Sequence, residues 1–393
     1  MKRTVKDLAK LKGRVVLVRV DFNVPIDEAG EILDTTRIVN ALPTIKYLVE
    51  KQAKVVLMSH LGRPDGYDVR KSLWPIAIML MKALPCSVAF CNHLIGDEVK
   101  ERIKLMKEGT VLLLENTRFY EGETSCDMTF SREIAKLGDI FVNDAFGAAH
   151  RKNASTYGVA RVLPNALGLL MKKEINVLSK SIEQPKRPFV VVLGGAKVKT
   201  KINILKRFIE KADSIIIGGA MAYTFLKAKG INVGNSIVDE NNLDTALEII
   251  EYAKENGKKL LLPVDHSAIS ESDRAKTIRT TKKLGGDLVG YDIGPATIAL
   301  YKKEIASAQQ IFWNGPMGLF ENAYFSTGTH EIALAIAGSK AYSVVGGGDT
   351  VSAVNQYHLA KHINFISTGG GATMEFLEKG SLPCIDVIQE KVK

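Results

Sequence analysis

Short runs of apolar, mostly β-branched residues alternate with helix-like segments along the whole chain. This alternation is typical of βαβ units, in which helices cover both faces of a parallel sheet. Runs that predict strands in the first half lie at residues 15–20, 55–58, 111–114 and 140–142. In the second half they lie at residues 189–193, 214–217, 260–263, 311–313, 343–345 and 364–366. The pattern predicts an α/β fold with largely parallel sheets.

A helix-like stretch separates the two sheet-like halves. Over residues 167–182, Met171, Ile175 and Leu178 recur at helical spacing and therefore share one face. The chain of 393 residues exceeds the size at which a single core usually stops growing, which favours two domains. We place the domain joint in this helix, which would act as a stiff connector.

The net charge of +10 comes from 53 Lys and Arg against 43 Asp and Glu. A basic balance can indicate nucleic acid, an anionic membrane or anionic metabolites as partners. The basic residues are spread along the chain, without a run of five like charges and without interleaved aromatic residues. This distribution argues against nucleic-acid binding as the main function and favours small anions.

Four scattered cysteines without a CxxC motif favour a reducing, cytoplasmic location. The first thirteen residues are charged and lack the apolar core of a signal peptide. The longest apolar run, at residues 73–81, is too short to span a bilayer, so we expect no membrane partner.

Cationic and amide residues follow the predicted strands of the first half. In parallel sheets the carboxyl ends of the strands share one edge, where ligands bind. Arg side chains match carboxylate and phosphate oxygens in pairs, so several of them at this edge predict a small, multiply anionic ligand. Arg37 follows the first strand, and the post-strand segments are RVDFNVP at 19–25, SHLGRP at 59–64, ENTRF at 115–119 and NDAFGAAHR at 143–151.

Glycine takes the same places in the second half. Glycine allows the backbone to approach a ligand and lets N–H groups converge on phosphate at helix N-termini. One such turn is weak evidence, but five in one domain predict a phosphate-rich ligand such as a nucleotide. The turns are GGAK at 194–197, GGA at 218–220, NGPMG at 314–318, GGGDT at 346–350 and GGGAT at 369–373.

Common nucleotide signatures are missing from the sequence. It contains no GxxxxGK[ST] loop, no GxGxxG after a first strand and no protein-kinase motif set. Asp349 follows a triple glycine, a suitable place for a carboxylate that holds Mg²⁺ on phosphates, although a helix N-cap would look the same. Lys197 and Lys201, four residues apart, can both point toward a phosphate chain.

These segments together resemble the phosphoglycerate kinase family, in the family's order and over residues 14–382. The resemblance implies two Rossmann-like domains, each a parallel β-sheet flanked by helices, joined by a helix with a cleft between them. It implies the reaction 1,3-bisphosphoglycerate + ADP ⇌ 3-phosphoglycerate + ATP, with Mg²⁺, in a cytoplasmic monomer whose partners are these small molecules. The expected parts are a phosphoglycerate-binding domain (1–166), a connecting helix (167–187), a nucleotide-binding domain (188–378) and a segment returning to the first domain (379–393).

The resemblance also assigns site residues. Those expected to bind the phosphoglycerate are Asp21, Phe22, Asn23, Arg37, His60, Leu61, Gly62, Arg63, Arg118 and Arg151. Those expected to bind the nucleotide are Gly195, Lys197, Lys201, Asn314, Pro316, Glu321, Gly347, Gly348, Asp349 and Thr350, with Glu321 on the ribose and Asp349 also on the metal. The chain departs from common family forms at Asn153, where a His is usual, at Thr200, where Asp is usual, and at Cys384, where Gly is usual.

The reaction needs no general base, because the attacking carboxylate or phosphate oxygen is already ionised near neutral pH. The enzyme must supply alignment and charge stabilisation. We hypothesise that Arg37 and Lys201 meet on the moving phosphoryl group as the domains close and exclude water. His60 is expected to bind the ligand or to pack, and general acid–base catalysis by it is the alternative.

Two other functions compete with this one. A Rossmann dehydrogenase or a phosphate-binding barrel enzyme would bind a nicotinamide or a sugar phosphate. A non-catalytic sensor would bind both anion and nucleotide without turnover.

Overall fold

The computed structural model describes residues 1–196, 201–273, 275 and 277–391. The chain divides into two compact units. The first unit comprises residues 1–176 and the described residues from Lys379 onward, and the second unit comprises the described residues of 177–378. Each unit contains a six-stranded parallel sheet with helices between the strands, which confirms the predicted α/β class.

The sheet of the first unit runs in the order β3-β4-β2-β1-β5-β6, with every neighbouring pair parallel. Its strands are β1 (Val15–Arg19), β2 (Lys54–Met58), β3 (Val88–Cys91), β4 (Val111–Leu114), β5 (Ile140–Asn143) and β6 (Asn165–Leu167). The helices are α1 (Thr36–Glu50), α2 (Trp74–Ala83), α3 (Asp97–Leu105) and α4 (Met128–Ala135), and α5 (Leu169–Glu183) begins in this unit and ends in the second.

Alternate residues of β1 point to opposite faces of the sheet. Val16 and Val18 therefore pack in one core with Ile38 and Ile45 from the buried face of α1. This packing fixes the direction in which the loop after β1 leaves the sheet.

The large sheet of the second unit runs in the order β15-β14-β13-β7-β8-β9. Beside it lies a small antiparallel sheet in the order β11-β10-β12. The strands are β7 (Phe189–Leu193), β8 (Ser214–Ile217), β9 (Lys259–Leu261), β10 (His266–Ser270), β11 (Arg279–Thr281), β12 (Leu288–Ile293), β13 (Gln310–Asn314), β14 (Tyr342–Val345) and β15 (Phe365–Ile366). The helices are α6 (Ile202–Lys211), α7 (Met221–Ala228), α8 (Leu243–Glu255), α9 (Pro295–Ala306), α10 (Thr327–Ala337), α11 (Gly348–Gln356) and α12 (Gly371–Lys379).

The last described residues lie on the first unit. A short helix α13 (Pro383–Asp386) is followed by an antiparallel bridge between Glu390 and Lys2. The Lys391 N–H donates to the Met1 carbonyl at 2.9 Å, and the Lys391 ammonium pairs with Asp7 at 2.7 Å. The two ends of the described chain are therefore held together.

The structure differs from the sequence expectations at three places. β3, β6 and the small sheet were not predicted, because β3 is half exposed, β6 has only three residues, and β10 and β11 are rich in polar residues. The helix expected from residue 167 begins at Leu169, since Leu167 pairs with Asn143 in the sheet. β9 ends at Leu261, two residues before Pro263, which has no N–H to offer a neighbouring strand. No helix of the described residues is long and apolar enough to cross a membrane.

Candidate active site

Arg19, the last residue of β1, lies at the centre of a buried polar network. Its side chain is only 1% exposed. Its Nε donates to Ser155 Oγ at 2.8 Å, and its Nη1 donates to the Val20 carbonyl. Its Nη2 lies 3.0 Å from His60 Nδ1 and 4.0 Å from Glu123 Oε1. These contacts hold the guanidinium in one position beneath the residues expected to bind the substrate.

The contact between Arg19 and His60 determines which nitrogen of the imidazole carries the proton. A guanidinium has only donors, so Nδ1 of His60 must accept, which leaves the proton of the neutral ring on Nε2. Burial, followed by the nearby Arg19 charge, lowers the pKa of His60 well below its usual value. His60 is therefore a neutral hydrogen-bond donor at neutral pH.

Asp21 holds Arg37 at the same edge of the sheet. Arg37 Nη1 lies 2.9 Å from Asp21 Oδ2 and donates to the Asn23 carbonyl at 3.2 Å. Burial by itself would raise the pKa of Asp21, but the cations around it, Arg37 foremost, lower it below its ordinary value. The Asp21 carboxylate is thus charged, and it orients a half-buried arginine that lies at the start of α1.

Backbone contacts join the loops after β1, β2 and β4. The Gly62 N–H donates to Asn23 Oδ1 at 2.8 Å, and the Gly62 carbonyl accepts from Arg118 Nη1. Gly62 has φ of +65°, a conformation that favours glycine. These bonds bring three of the four cationic segments of the sequence together.

A cleft of about 900 Å³ is lined by residues of the loops after β2, β4 and β5. Arg63, Arg118 and Arg151 line it, with Lys152 beside them. The other lining residues are Pro64, Asp65, Gly66, Phe119, Tyr120, Glu121, Thr124 and Asn153. Four cations face two carboxylates, so the cleft is suited to an anion.

Arg118 shows the electrostatic cost of this arrangement. Burial, followed by the charge of Arg151, lowers the pKa of Arg118. Its Nε is buried and has no hydrogen-bond partner within the described residues. A buried donor without an acceptor is costly, and an anionic oxygen in the cleft would relieve that cost.

Two of the expected residues present only backbone to the site. The side chains of Phe22 and Leu61 belong to the hydrophobic core and are 0% and 3% exposed. The Phe22 N–H donates to Ser59 Oγ, and the Leu61 N–H donates to Asn116 Oδ1. Their contribution to the site is therefore to fix the loops after β1 and β2.

Sequence reasoning assigned no role to three residues that support the arginines, namely Arg19, Glu123 and Ser155. The buried Glu123 carboxylate accepts from Ser155 Oγ at 2.6 Å, from the Ser155 N–H at 2.9 Å and from Thr117 Oγ1 at 3.1 Å. Arg19 lies within the RVDFNVP motif, which was a usable signal. Glu123 lies outside the post-strand segments of the first half and had no such signal.

In the second unit, the glycine turns interlock at the carboxyl ends of β7 and β13. The Gly195 N–H donates to the Pro316 carbonyl at 2.8 Å, and Gly195 has φ of +92°. A Cβ at Gly194 would lie 2.0 Å from the Pro316 oxygen. Only glycine therefore allows these two loops to approach each other so closely.

Asn314 and Thr350 join the turns of neighbouring strands. Asn314 Nδ2 donates to the Gly346 carbonyl at 2.7 Å, and the Gly315 N–H donates to Thr350 Oγ1 at 2.6 Å. Asn314 Oδ1 is buried without a hydrogen-bond partner in the part of the chain that the structure describes. Both side chains thus serve the architecture of the loops, and Asn314 keeps an acceptor available.

Lys201 precedes α6 and donates from Nζ to the Gly194 carbonyl. Burial lowers the pKa of Lys201 to about 8, although the charge of Asp349 opposes that shift. Since Asp349 influences Lys201 electrostatically, the structure brings these two expected nucleotide residues into one region.

The start of α11 presents backbone N–H groups beside Asp349. Gly347 caps the helix with φ of +92°, and Gly348 is exposed with nothing within 4 Å of a Cβ built there. Asp349, in the first turn, is exposed. Glu321 is also exposed, in the loop after β13, whereas Lys197 and Thr200 lie outside the described residues.

The described residues contain no group of three or more His, Cys, Asp or Glu side chains that could hold a metal by themselves. Mg²⁺ bound to nucleotide phosphates needs only one or two carboxylates, because phosphate and water oxygens complete its shell. The exposed Asp349 carboxylate, next to open helix N–H groups, fits that requirement.

Comparisons with known proteins match the chain in sequence and in fold. A family model described as "Phosphoglycerate kinase" matches residues 5–380. The phosphoglycerate kinase of Dictyoglomus turgidum is 50% identical over 395 residues, covering 99% of this chain and all of that protein. That of Thermosipho africanus is 49% identical and covers 100% of this chain and 99% of that protein. The solved phosphoglycerate kinase of Coxiella burnetii superposes with a TM-score of 0.86 at 40% identity, over 98% of both chains.

Proposed function

The chain belongs to the phosphoglycerate kinase family, and on that premise we propose that its first unit binds the phosphoglycerate and its second unit the adenine nucleotide. It is an ATP:3-phosphoglycerate 1-phosphotransferase, which transfers the acyl phosphate of 1,3-bisphosphoglycerate reversibly to ADP. The proposal concerns which residues carry out each part of that reaction.

One observation carries the assignment of the first unit. Arg63, Arg118 and Arg151 line the same cleft, and Arg118 has a buried donor without a partner in the described chain. 3-Phosphoglycerate carries a carboxylate and a phosphate, whose oxygens match several guanidinium groups at once. His60, held as a neutral donor by Arg19, supplies a further hydrogen bond without a further charge.

Arg37 is proposed to act on the reacting end of the substrate. The carboxylate of 3-phosphoglycerate is ionised at neutral pH, so no residue has to remove a proton from it. What the reaction needs is compensation for the negative charge shared among phosphoryl, donor and acceptor oxygens. The Asp21 carboxylate fixes Arg37, so the guanidinium loses little freedom when it does so.

The turns of the second unit are proposed to hold the nucleotide phosphates. The N–H groups at the start of α11, around Gly347 and Gly348, offer hydrogen bonds at the positive end of a helix. Lys201 supplies a positive charge, and its role together with Arg37 on the moving phosphoryl group stays a prediction. Glu321 is proposed to bind the ribose hydroxyls, for which its exposed carboxylate is suited.

Mg²⁺ is part of the proposal, with Asp349 as the protein ligand. The ion would neutralise phosphate charge and orient the phosphate chain. Asp349 is exposed and within electrostatic reach of Lys201, which supports a shared role around the phosphates.

A coupled assay with the purified chain tests the assignments. With 3-phosphoglycerate, ATP and MgCl₂, turnover is followed through reduction of the acyl phosphate and oxidation of NADH by glyceraldehyde-3-phosphate dehydrogenase. Arg118→Ala is expected to raise KM for 3-phosphoglycerate at least about tenfold, because a charge-assisted contact is lost. Arg70→Ala removes an exposed arginine that pairs with Asp68 and should change nothing.

Two results would contradict the proposal. If Arg118→Ala raised KM for ATP and not for 3-phosphoglycerate, the ligands would be assigned to the wrong units. If Asp349→Asn left the Mg²⁺ dependence unaltered, the proposed metal ligand would be wrong.

The proposal also includes a cytoplasmic monomer. The four thiols, Cys86, Cys91, Cys126 and Cys384, are all free, which suits a reducing compartment. Sedimentation of the purified chain at several concentrations tests the monomeric state.

A further inference from the structure

The backbone carbonyl of Arg151 accepts hydrogen bonds from two side chains. Thr156 Oγ1 lies 3.1 Å from that oxygen, and Cys384 Sγ lies 3.3 Å from it. The guanidinium of the same residue lines the anion cleft. The backbone of Arg151 is therefore fixed by hydrogen bonds to its carbonyl, while its side chain lines the anion cleft.

Thr156 is shared with a second acceptor. Its hydroxyl also lies 3.3 Å from the Asn153 carbonyl, and it accepts from the Asn153 N–H at 3.2 Å. One hydroxyl has one proton, so Thr156 cannot donate fully to both carbonyls. The Arg151 carbonyl also accepts from the Asn153 N–H at 3.0 Å, so the Cys384 thiol is one of three donors around this oxygen.

Cys384 contacts this loop on both sides of His150. Its backbone N–H donates to the Ala149 carbonyl at 3.1 Å, and its thiol donates to the Arg151 carbonyl. The side chain is completely buried. Burial raises the pKa of the Cys384 thiol to about 12, so the group remains a protonated donor.

The segment that carries Cys384 is itself fixed to the first unit. The Gln389 N–H donates to Asn165 Oδ1 at 2.8 Å, and the Lys2 ammonium pairs with Glu390 at 3.0 Å. Cys384 therefore links an anchored segment to the loop that carries Arg151.

We propose that Cys384 is a positioning residue for Arg151, through which the C-terminal segment sets the approach of that arginine to the anionic substrate. This inference rests on the proposed binding of phosphoglycerate by Arg151. The thiol touches no substrate atom in this role. It orients the peptide from which the guanidinium extends.

Substitutions at Cys384 test the proposal in the coupled assay. Cys384→Ala removes the donor and is expected to raise KM for 3-phosphoglycerate about two- to tenfold, the range for one neutral hydrogen bond. KM for ATP and kcat should stay within about twofold, since neither depends on this loop in the proposal. Cys384→Ser keeps a donor and should restore KM to near its original value.

Cys91→Ala is the matched control, because Cys91 is a completely buried thiol in β3 of the same unit. It should lower the thermal midpoint about as much as Cys384→Ala while leaving KM unchanged. If Cys384→Ala does not fold, Cys384→Val can replace it, because valine fills the space without a hydrogen-bond donor. KM for 3-phosphoglycerate should then be higher in Cys384→Val than in Cys384→Ser.

A double-mutant cycle separates this inference from the function on which it rests. Arg151→Ala should raise KM for 3-phosphoglycerate by itself, and Cys384→Ala should add less than about twofold to it, because coupled residues are non-additive. If Arg151→Ala leaves KM unchanged, the proposed function of Arg151 is wrong. If Arg151→Ala raises KM but Cys384→Ala leaves KM unchanged, the positioning role is wrong. It is also wrong if Cys384→Ala raises KM by the same factor in the Arg151→Ala background as in the original chain.

Discussion

Arg19 Nη2 lies 3.0 Å from His60 Nδ1, and both side chains are almost completely buried. This contact places an arginine, which can only donate, against one nitrogen of an imidazole. The other nitrogen must carry the proton. A histidine that the sequence suggested as a ligand contact or a general acid–base is thereby defined as a neutral donor.

His60 is expected to stay neutral through the pH range around 6.5 in which a free imidazole titrates, because burial and Arg19 lower its pKa well below its usual value. The dependence of kcat/KM for 3-phosphoglycerate on pH should show no step from His60 in this range. Imidazole ¹⁵N spectra should show the proton on Nε2 throughout. A shift that titrates near pH 6.5 would contradict the assignment.

The position of the His60 proton also predicts the ranking of two amide variants. His60→Gln places an amide N–H near the position of Nε2, whereas His60→Asn reaches only the position of Nδ1. His60→Gln should therefore keep a KM for 3-phosphoglycerate several-fold lower than His60→Asn. The reverse order would mean that Nδ1 faces the ligand.

Arg37→Ala and Lys201→Ala should each lower kcat by about 10²-fold or more, because each removes a charge placed to stabilise the transferring phosphoryl group. Lys206→Ala, on the exposed side of α6 where Lys206 pairs with Glu248, is the control and should leave kcat unchanged. Single-turnover measurements separate the chemical step from product release. Near-normal kcat in either variant would remove that residue from the catalytic assignment.

Activity is expected to fall at alkaline pH because Lys201 loses its charge there. Its pKa is lowered to about 8 by burial, so the ammonium loses its proton as the pH rises through that value, and phosphate binding weakens. The alkaline limb of kcat/KM for ATP reports the free enzyme. It should move to higher pH in Lys201→Arg, since arginine stays charged; an unmoved limb would mean that another group titrates there.

Substitution by alanine should impair two glycines of the second unit in different ways, one in stability and the other in ATP binding. A Cβ at Gly194 would lie 2.0 Å from the Pro316 oxygen, so Gly194→Ala should lower the thermal midpoint markedly. A Cβ at Gly348 meets nothing within 4 Å, so Gly348→Ala should keep its stability but raise KM for ATP. Thermal unfolding together with ATP kinetics checks both; an unaltered KM in Gly348→Ala would place the phosphates elsewhere.

Asp144 should make the stability of the first unit depend on pH. Burial raises its pKa to about 7, and one oxygen accepts the Met171 N–H at 3.1 Å at the start of α5. The folded state therefore binds a proton that the unfolded chain has already released between about pH 4 and pH 7. Protonated Asp144 therefore stabilises the folded state fully below pH 4, and this contribution to the free energy of unfolding is lost as the pH rises through 7.

Asp144→Asn should flatten this dependence, which amounts to about 1.4 kcal/mol for each unit of pKa shift. Urea unfolding at a series of pH values measures it. Asp127→Asn neutralises the exposed N-cap carboxylate of α4 and is the control for removing a carboxylate charge at the start of a helix. An Asp144→Asn profile parallel to the original would show that Asp144 is already ionised in the folded chain.

The sequence by itself determined the strands of four or more residues that are buried on both faces, and the residues that follow them. β4, β7 and β8 begin and end where their apolar runs predicted. A fully buried parallel strand needs a continuous apolar run, so its signal is local. The segments after these strands then converge because parallel strands share one carboxyl edge.

Only the tertiary structure decided how the site residues are held. Arg19 and Ser155 are 136 positions apart, and Cys384 and Arg151 are 233 apart. No periodicity within a helix or strand encodes such a contact. The structure also shows that the Phe22 side chain belongs to the core, whereas the neighbouring Asp21 pairs with Arg37. Local hydrophobic patterning places residues on an edge of the sheet, but packing between distant segments determines which atoms at that edge meet.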